Sequence, residues 1–128
     1  MTYNELSSKI IGAAIEVHRE LGPGLLESVY EECLAHMLRE MGLLVETQQQ
    51  VPIVFRGRTL GTPLRLDLLV EGRVIVEVKA VEAIHDVFLV TLLSYLRLSN
   101  KKLGLLINFH EALLKDGIRR VVNGLDEM

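Results

Sequence analysis

The chain has one cysteine, no tryptophan and three prolines in 128 residues. A single cysteine, Cys33, excludes an internal disulfide and has no partner at metal-ligand spacing. It reads as a small core residue, and the composition suits a reducing cytoplasm. Excess basic charge is also lacking. The formal net charge is −3, so nothing pulls the whole molecule toward nucleic acid, and phosphate binding must come from a local basic patch or a metal. No apolar run reaches the length of a membrane span. The first twenty residues carry Glu5, Lys9, Glu16, Arg19 and Glu20, without the basic leader and unbroken apolar core of a signal peptide. The four histidines, His18, His36, His85 and His110, show no close zinc-type spacing and read as surface or cap residues. Lys101-Lys102 and Arg119-Arg120 read as solvated charges. A soluble cytoplasmic protein with no membrane partner is expected.

What is present points to a packed domain. Hydrophobic residues make up 49% and charged residues 24%, which favours a core over disorder, and the length suits one domain over residues 1–128. Leu6, Ile10, Ala13, Ala14, Val17 and Leu21 recur at helical spacing and predict a helix over about 4–21, stopped by Gly22-Pro23-Gly24. A second helix is expected over about 25–41, with Gly42 closing it. Residues 43–55 read as a strand, with Pro52 marking an edge or bulge, and Arg56-Gly57-Arg58 as a turn. Two strands follow, then a helix over about 85–98. Leu103 to Phe109 is a continuous apolar run, as in a strand buried on both faces. A last helix is expected over about 111–123. This order is α/β with a mixed sheet.

Arg65 to Ala80 is the most informative segment. It reads as two apolar strands around a glycine-containing turn, interrupted by Asp67, Glu77 and Lys79. Charges within such strands are costly unless paired, solvated or metal-bound. Glu77 and Lys79 are two apart and project from one strand face, opposite Val74, Val76 and Val78. Two carboxylates and a lysine at one place can bind a hard divalent cation and activate water. Asp67 must share a face with Glu77 for this. A two-residue Glu71-Gly72 loop would pair Asp67 with Val76 and turn the carboxylates apart. A three-residue connection, Glu71 to Arg73, or a bulge near Asp67 is therefore expected. Taken singly, Asp67 also reads as a solvated strand-end residue, Glu77 and Lys79 as a surface ion pair, and Glu27 as a first-turn helix glutamate.

Gly24-Leu25-Leu26-Glu27-Ser28-Val29-Tyr30 resembles the pattern that names the GxxExxY family. Asp67 with Glu77-Val78-Lys79 resembles the D…ExK core of the PD-(D/E)xK nuclease superfamily, to which that family is assigned. The likeness covers Ile10 through Val122 and includes the approach from Val17 to Gly24 and the strand Leu103 to Phe109. It implies a restriction-endonuclease-like fold, a central mixed β-sheet flanked by helices with an N-terminal helical pair. It further implies a nuclease that uses magnesium or manganese, acting on DNA or RNA. Asp67, Glu77 and the Val78 carbonyl would hold the ion, with Glu27 as a further acid beside it, and Lys79 would activate water. Gly24, Glu27 and Tyr30 recur every third residue, hence on one helix face, where Tyr30 would fix a carboxylate by a hydrogen bond. Superfamily members often carry a glutamine four residues before a tyrosine on the following helix. Here Thr91 holds that place before Tyr95, and both are expected to position substrate. No separate recognition domain fits in the chain, so specificity is expected from loops, a homodimer or a partner protein. The rival readings are a binding module for nucleic acid or protein on the same fold, and a metal-dependent enzyme with another substrate.

Overall fold

A computed structural model describes residues 1–126. The helix α1 spans Tyr3–Leu21 and buries Leu6, Ile10, Ala13, Ala14 and Val17 as one stripe. The Thr2 hydroxyl caps its start by accepting the Glu5 amide at 3.0 Å. Gly22 ends it at φ 70, a left-handed value that glycine adopts without a Cβ clash. The helix α2 spans Glu27–Glu40 and buries Tyr30, Leu34, Ala35 and Leu38. It begins two residues later than its apolar pattern predicts. Gly24 therefore lies in the connecting loop at φ 102, off the helix face that it was expected to share with Glu27 and Tyr30.

The sheet contains β1 (Val45–Val51), β4 (Leu64–Val70), β5 (Val74–Lys79), β6 (Leu103–Asn108) and β7 (Ile118–Val122), in that spatial order. Neighbours are antiparallel except β5 and β6, which are parallel. That pair is bridged by α3, Asp86–Ser99, because parallel strands need a long crossover. The short strands β2 (Val54–Phe55) and β3 (Arg58–Thr59) form a separate ribbon. Two apolar layers cover the sheet. Leu68, Val70, Val74, Val76, Val78, Leu105 and Ile107 pack with α1 and α2, while Leu66, Leu69, Ile75 and Leu106 pack with Leu92 and Leu96 of α3.

Three expectations are corrected. The strand over 43–55 is divided: Pro52, which has no N–H for a ladder bond, separates β1 from residues that leave the sheet for the ribbon. The expected last helix is a 3-10 turn, Leu114–Gly117, followed by β7. Its β-branched Ile118, Val121 and Val122 complete the free edge of β6, and a Cβ on Gly117 would lie 2.4 Å from the Asn108 carbonyl oxygen. His18 is not a surface residue. It is buried, and its Nε2 bonds the Glu111 carbonyl at 2.7 Å, tying α1 to the segment after β6.

Candidate active site

The β4–β5 connection has three residues. Val70 pairs with Val74, and Glu71 and Gly72 take left-handed φ values of 55 and 62. Arg73 donates its amide to the Val70 carbonyl at 3.0 Å, so it is the residue that restores the phase. The register runs through Leu69 with Ile75 to Leu68 with Val76. Asp67 and Glu77 are next in step. Pairing ends before them although both strands continue, so the two strands fork at this point. Asp67 closes the fork's apex: its Oδ2 accepts the Val78 amide at 2.9 Å. The amide and carbonyl of a strand residue face the same side, so the Val78 carbonyl also faces the fork.

Glu77 is the group under electrostatic stress. It is 9% exposed, and its Oε1 is buried without a hydrogen-bond partner among the described residues. Burial pushes its pKa from 4.5 up to about 9, aided by the charge of Asp67 and a hydrogen bond to the Asp67 carboxyl, and opposed by a hydrogen bond to the Asp67 backbone and by the charge of Lys79. Lys79 is half-buried and places its Nζ 4.8 Å from the centre of the Phe88 ring. A cavity of about 340 Å³ opens here, lined by Glu77, Lys79, Phe88, Thr91 and Tyr95 among others. Tyr95 is half-buried, and its pKa is raised by burial and by the nearby charges of Glu77 and Asp67.

The sequence-selected residues thus divide. Asp67, Glu77, Val78, Lys79, Thr91 and Tyr95 come together. Glu27 is exposed at the first position of α2. Tyr30 is fully buried and stacked on Phe109 at 4.5 Å. Its hydroxyl donates to the Gly22 carbonyl at 2.6 Å and accepts the Leu25 amide at 3.1 Å. It holds the α1–α2 loop and bonds no carboxylate, contrary to expectation.

Three residues escaped the sequence reading. Glu31 is half-buried, and its pKa is raised by burial and by the charges of Asp67 and Glu27, against a bond from Gln48. Gln48 takes φ 51 inside β1, at the one unpaired step between Thr47–Leu68 and Gln49–Leu66, which is the step opposite Asp67. Its Nε2 donates to Glu31 Oε1 at 2.7 Å. Asn108 is fully buried. It accepts the Val81 amide at 3.0 Å and donates to the Val81 carbonyl at 2.9 Å, clamping the chain just past Lys79. One polar residue at the end of the run Leu103 to Phe109 was the available signal.

Among the described residues no three His, Cys, Asp or Glu side chains stand close enough to hold a metal together. The donors that are present still fit a hard cation. Glu77 has a partnerless buried oxygen, Asp67 stands against it, and a backbone carbonyl shares the fork.

The comparisons now define the class. The chain matches the PD-(D/E)XK nuclease superfamily over residues 4–121, and it belongs to that superfamily. No curated protein and no solved structure gives a significant match. Three α-helices among the described residues and the mixed five-stranded sheet are its restriction-endonuclease-like fold. Members of the superfamily generally use divalent metal ions, and their class implies a nucleic-acid substrate. No helix of the described residues is long and apolar enough to cross a membrane.

Proposed function

We propose that this protein is a magnesium- or manganese-dependent nuclease hydrolysing a phosphodiester bond in DNA or RNA. The observation that carries the reading is the buried, partnerless Glu77 Oε1 at the fork beside Asp67. Asp67, Glu77 and the Val78 carbonyl would hold the ion, which when bound supplies charge neutralisation at the phosphate and an acidified water. Lys79, on the same strand face as Glu77, would orient the attacking water and stabilise charge on the phosphate oxygens. The Phe88 ring restrains the ammonium by a cation–π contact. Tyr95 and Thr91 line the substrate side of the cavity. Glu27 and Glu31, one helical turn apart and coupled by charge to each other and, for Glu31, to Asp67, would act on the ion through water and not as ligands. The Gly24, Glu27 and Tyr30 pattern supports the GxxExxY branch of the superfamily.

The test is a cleavage assay with magnesium or manganese on single-stranded, duplex and branched DNA and RNA, comparing wild type with Lys79→Ala. No cleavage above the Lys79→Ala background refutes the reading. A non-catalytic nucleic-acid- or protein-binding module would then replace it, favoured by Thr91 in the glutamine position and by the lack, among the described residues, of a third carboxylate close enough to share the ion directly.

A further inference from the structure

The ribbon formed by β2 and β3 has no role in the metal-centred reading. It is exposed along both strands: Val54 is 59% and Phe55 62% accessible. Its turn is Arg56-Gly57, both with left-handed φ. Phe55 pairs directly with Arg58, so the two side chains share one face. The Arg56 guanidinium lies 5.7 Å from the centre of the Phe55 ring. One ribbon face thus presents an exposed aromatic ring with the Arg56 guanidinium over one side of it and Arg58 paired beside it. Among the described residues none of Arg56, Arg58 and Arg65 makes an ion pair.

The placement of charge gives this face a direction. Residues 1–46, which include α1 and α2, carry eight acidic and three basic side chains, whereas residues 47–126 carry eight acidic and eleven basic. Residues 47–66, which contain the ribbon, have three arginines and no acid. Val51 and Leu64 are the last paired residues of β1 and β4, and the ribbon, Val54 to Thr59, is joined to them through residues 52–53 and 60–63, so it leaves the sheet at the end where β4 begins. By continuation of the β4–β5 register, Lys79 falls at the level of Arg65. Ribbon, Arg65 and Lys79 therefore lie at the end of the sheet toward which the fork opens.

The geometry points to the β2–β3 ribbon as an arm that grips an unpaired strand of nucleic acid, with Phe55 stacking on a base and Arg56 and Arg58 holding the flanking phosphates. This inference rests on the nuclease reading and adds to it a substrate class, nucleic acid with a single-stranded stretch beside the cleaved bond. An exposed ring stacks on any unpaired base, while the bases of a duplex offer no free face. Two cations beside the ring neutralise the strand where it passes. A protein whose net charge is −3 has no general attraction for phosphate, so a local basic patch adds grip on the strand that the metal at the cleaved bond does not supply.

The experiment measures fluorescence anisotropy of a labelled mixed-sequence 20-nucleotide strand, as DNA and as RNA, and of the matching duplex, with a chelator present to prevent cleavage. Wild type is compared with Phe55→Ala and with the double variant Arg56→Ala/Arg58→Ala. Phe55→Ala should weaken single-strand binding by about tenfold or more and duplex binding less. The double variant should lower the slope of log affinity against log salt by about 1.4, two single-strand phosphate contacts. In cleavage assays both variants should raise KM while leaving kcat and the manganese-induced rise in Tm at the wild-type level. Wild-type binding in both variants, or equal losses on single strand and duplex, overturns the arm. In that case a Lys79-dependent cleavage activity leaves the nuclease reading standing. Failure of wild type to bind or cleave any nucleic acid overturns both.

Discussion

Asp67 and Glu77 fall opposite each other one step beyond the last paired residues of β4 and β5, because Arg73 adds a third residue to the turn joining those strands. Without it, the two-residue periodicity of strands would put the carboxylates on opposite faces of the sheet. Glu77 is buried beside the half-buried Asp67, and burial together with the Asp67 charge pushes its pKa up to about 9. A divalent cation reverses that balance.

Manganese should therefore raise the Tm of the wild-type protein and release about one proton on binding at pH 7. Isothermal titration in buffers of different ionisation enthalpy reads the proton. Asp67→Asn and Glu77→Gln should each abolish most of the Tm rise, and an equal rise in the variants would place the ion elsewhere.

The metal-free protein should lose stability as pH rises. In the unfolded chain Glu77 ionises near 4.5, and in the folded state near 9. Between these values the folded state binds more protons, so the contribution is complete below the first and lost through the second. Denaturation midpoints in chelator should fall from about pH 5 to about pH 9 for wild type relative to Glu77→Gln, whose amide does not titrate. Parallel pH profiles would show that Glu77 is ionised throughout.

Lys79→Ala should lower turnover by a factor on the order of 100 or more while metal affinity changes little, since an ammonium is not a magnesium ligand. Steady-state kinetics and calorimetry separate the two quantities. Thr91→Gln should raise activity or leave it unchanged, because the longer side chain extends into the cavity that Thr91 already lines.

Glu31→Gln should weaken metal binding by about tenfold, the lower end for a residue acting beyond the ligands. It removes a charge near Asp67 and alters the Gln48 contact while keeping a polar group at the end of the side chain. Calorimetric affinity is the measurement, and an unchanged value would make Glu31 a strand-anchoring residue alone.

Tyr30→Phe should cost stability without slowing catalysis by the folded enzyme. The hydroxyl satisfies the Gly22 carbonyl and the Leu25 amide, and leaving buried groups unpaired costs about 1–3 kcal/mol. Urea denaturation shows the loss, and kcat at a temperature well below Tm should be unchanged.

The helices α1, α2 and α3, the buried strand β6, and the group of Asp67, Glu77 and Lys79 were legible from the chain because each rests on local periodicity or on charges within apolar runs. The need for a three-residue turn followed from strand geometry alone. The reading failed over 111–123, where Leu113, Leu114, Ile118, Val121 and Val122 suit a helix face as well as a strand. Only the free edge of β6 decides between them, since it offers backbone partners that an isolated segment lacks. The Gly24, Glu27 and Tyr30 spacing misled for a related reason: a helix start is set by where the chain turns, here at Glu27. Tyr30's partners then come from the loop that it packs beneath. Gln48 and Glu31 were invisible because 17 residues separate them, and a strand crossing opposite Asp67 is what brings them together. Sequence by itself determined which residues carry charge into the sheet. Tertiary structure decided which of those charges are brought together and that Glu77 is the buried one, because burial and proximity depend on contacts between segments that are distant in the chain.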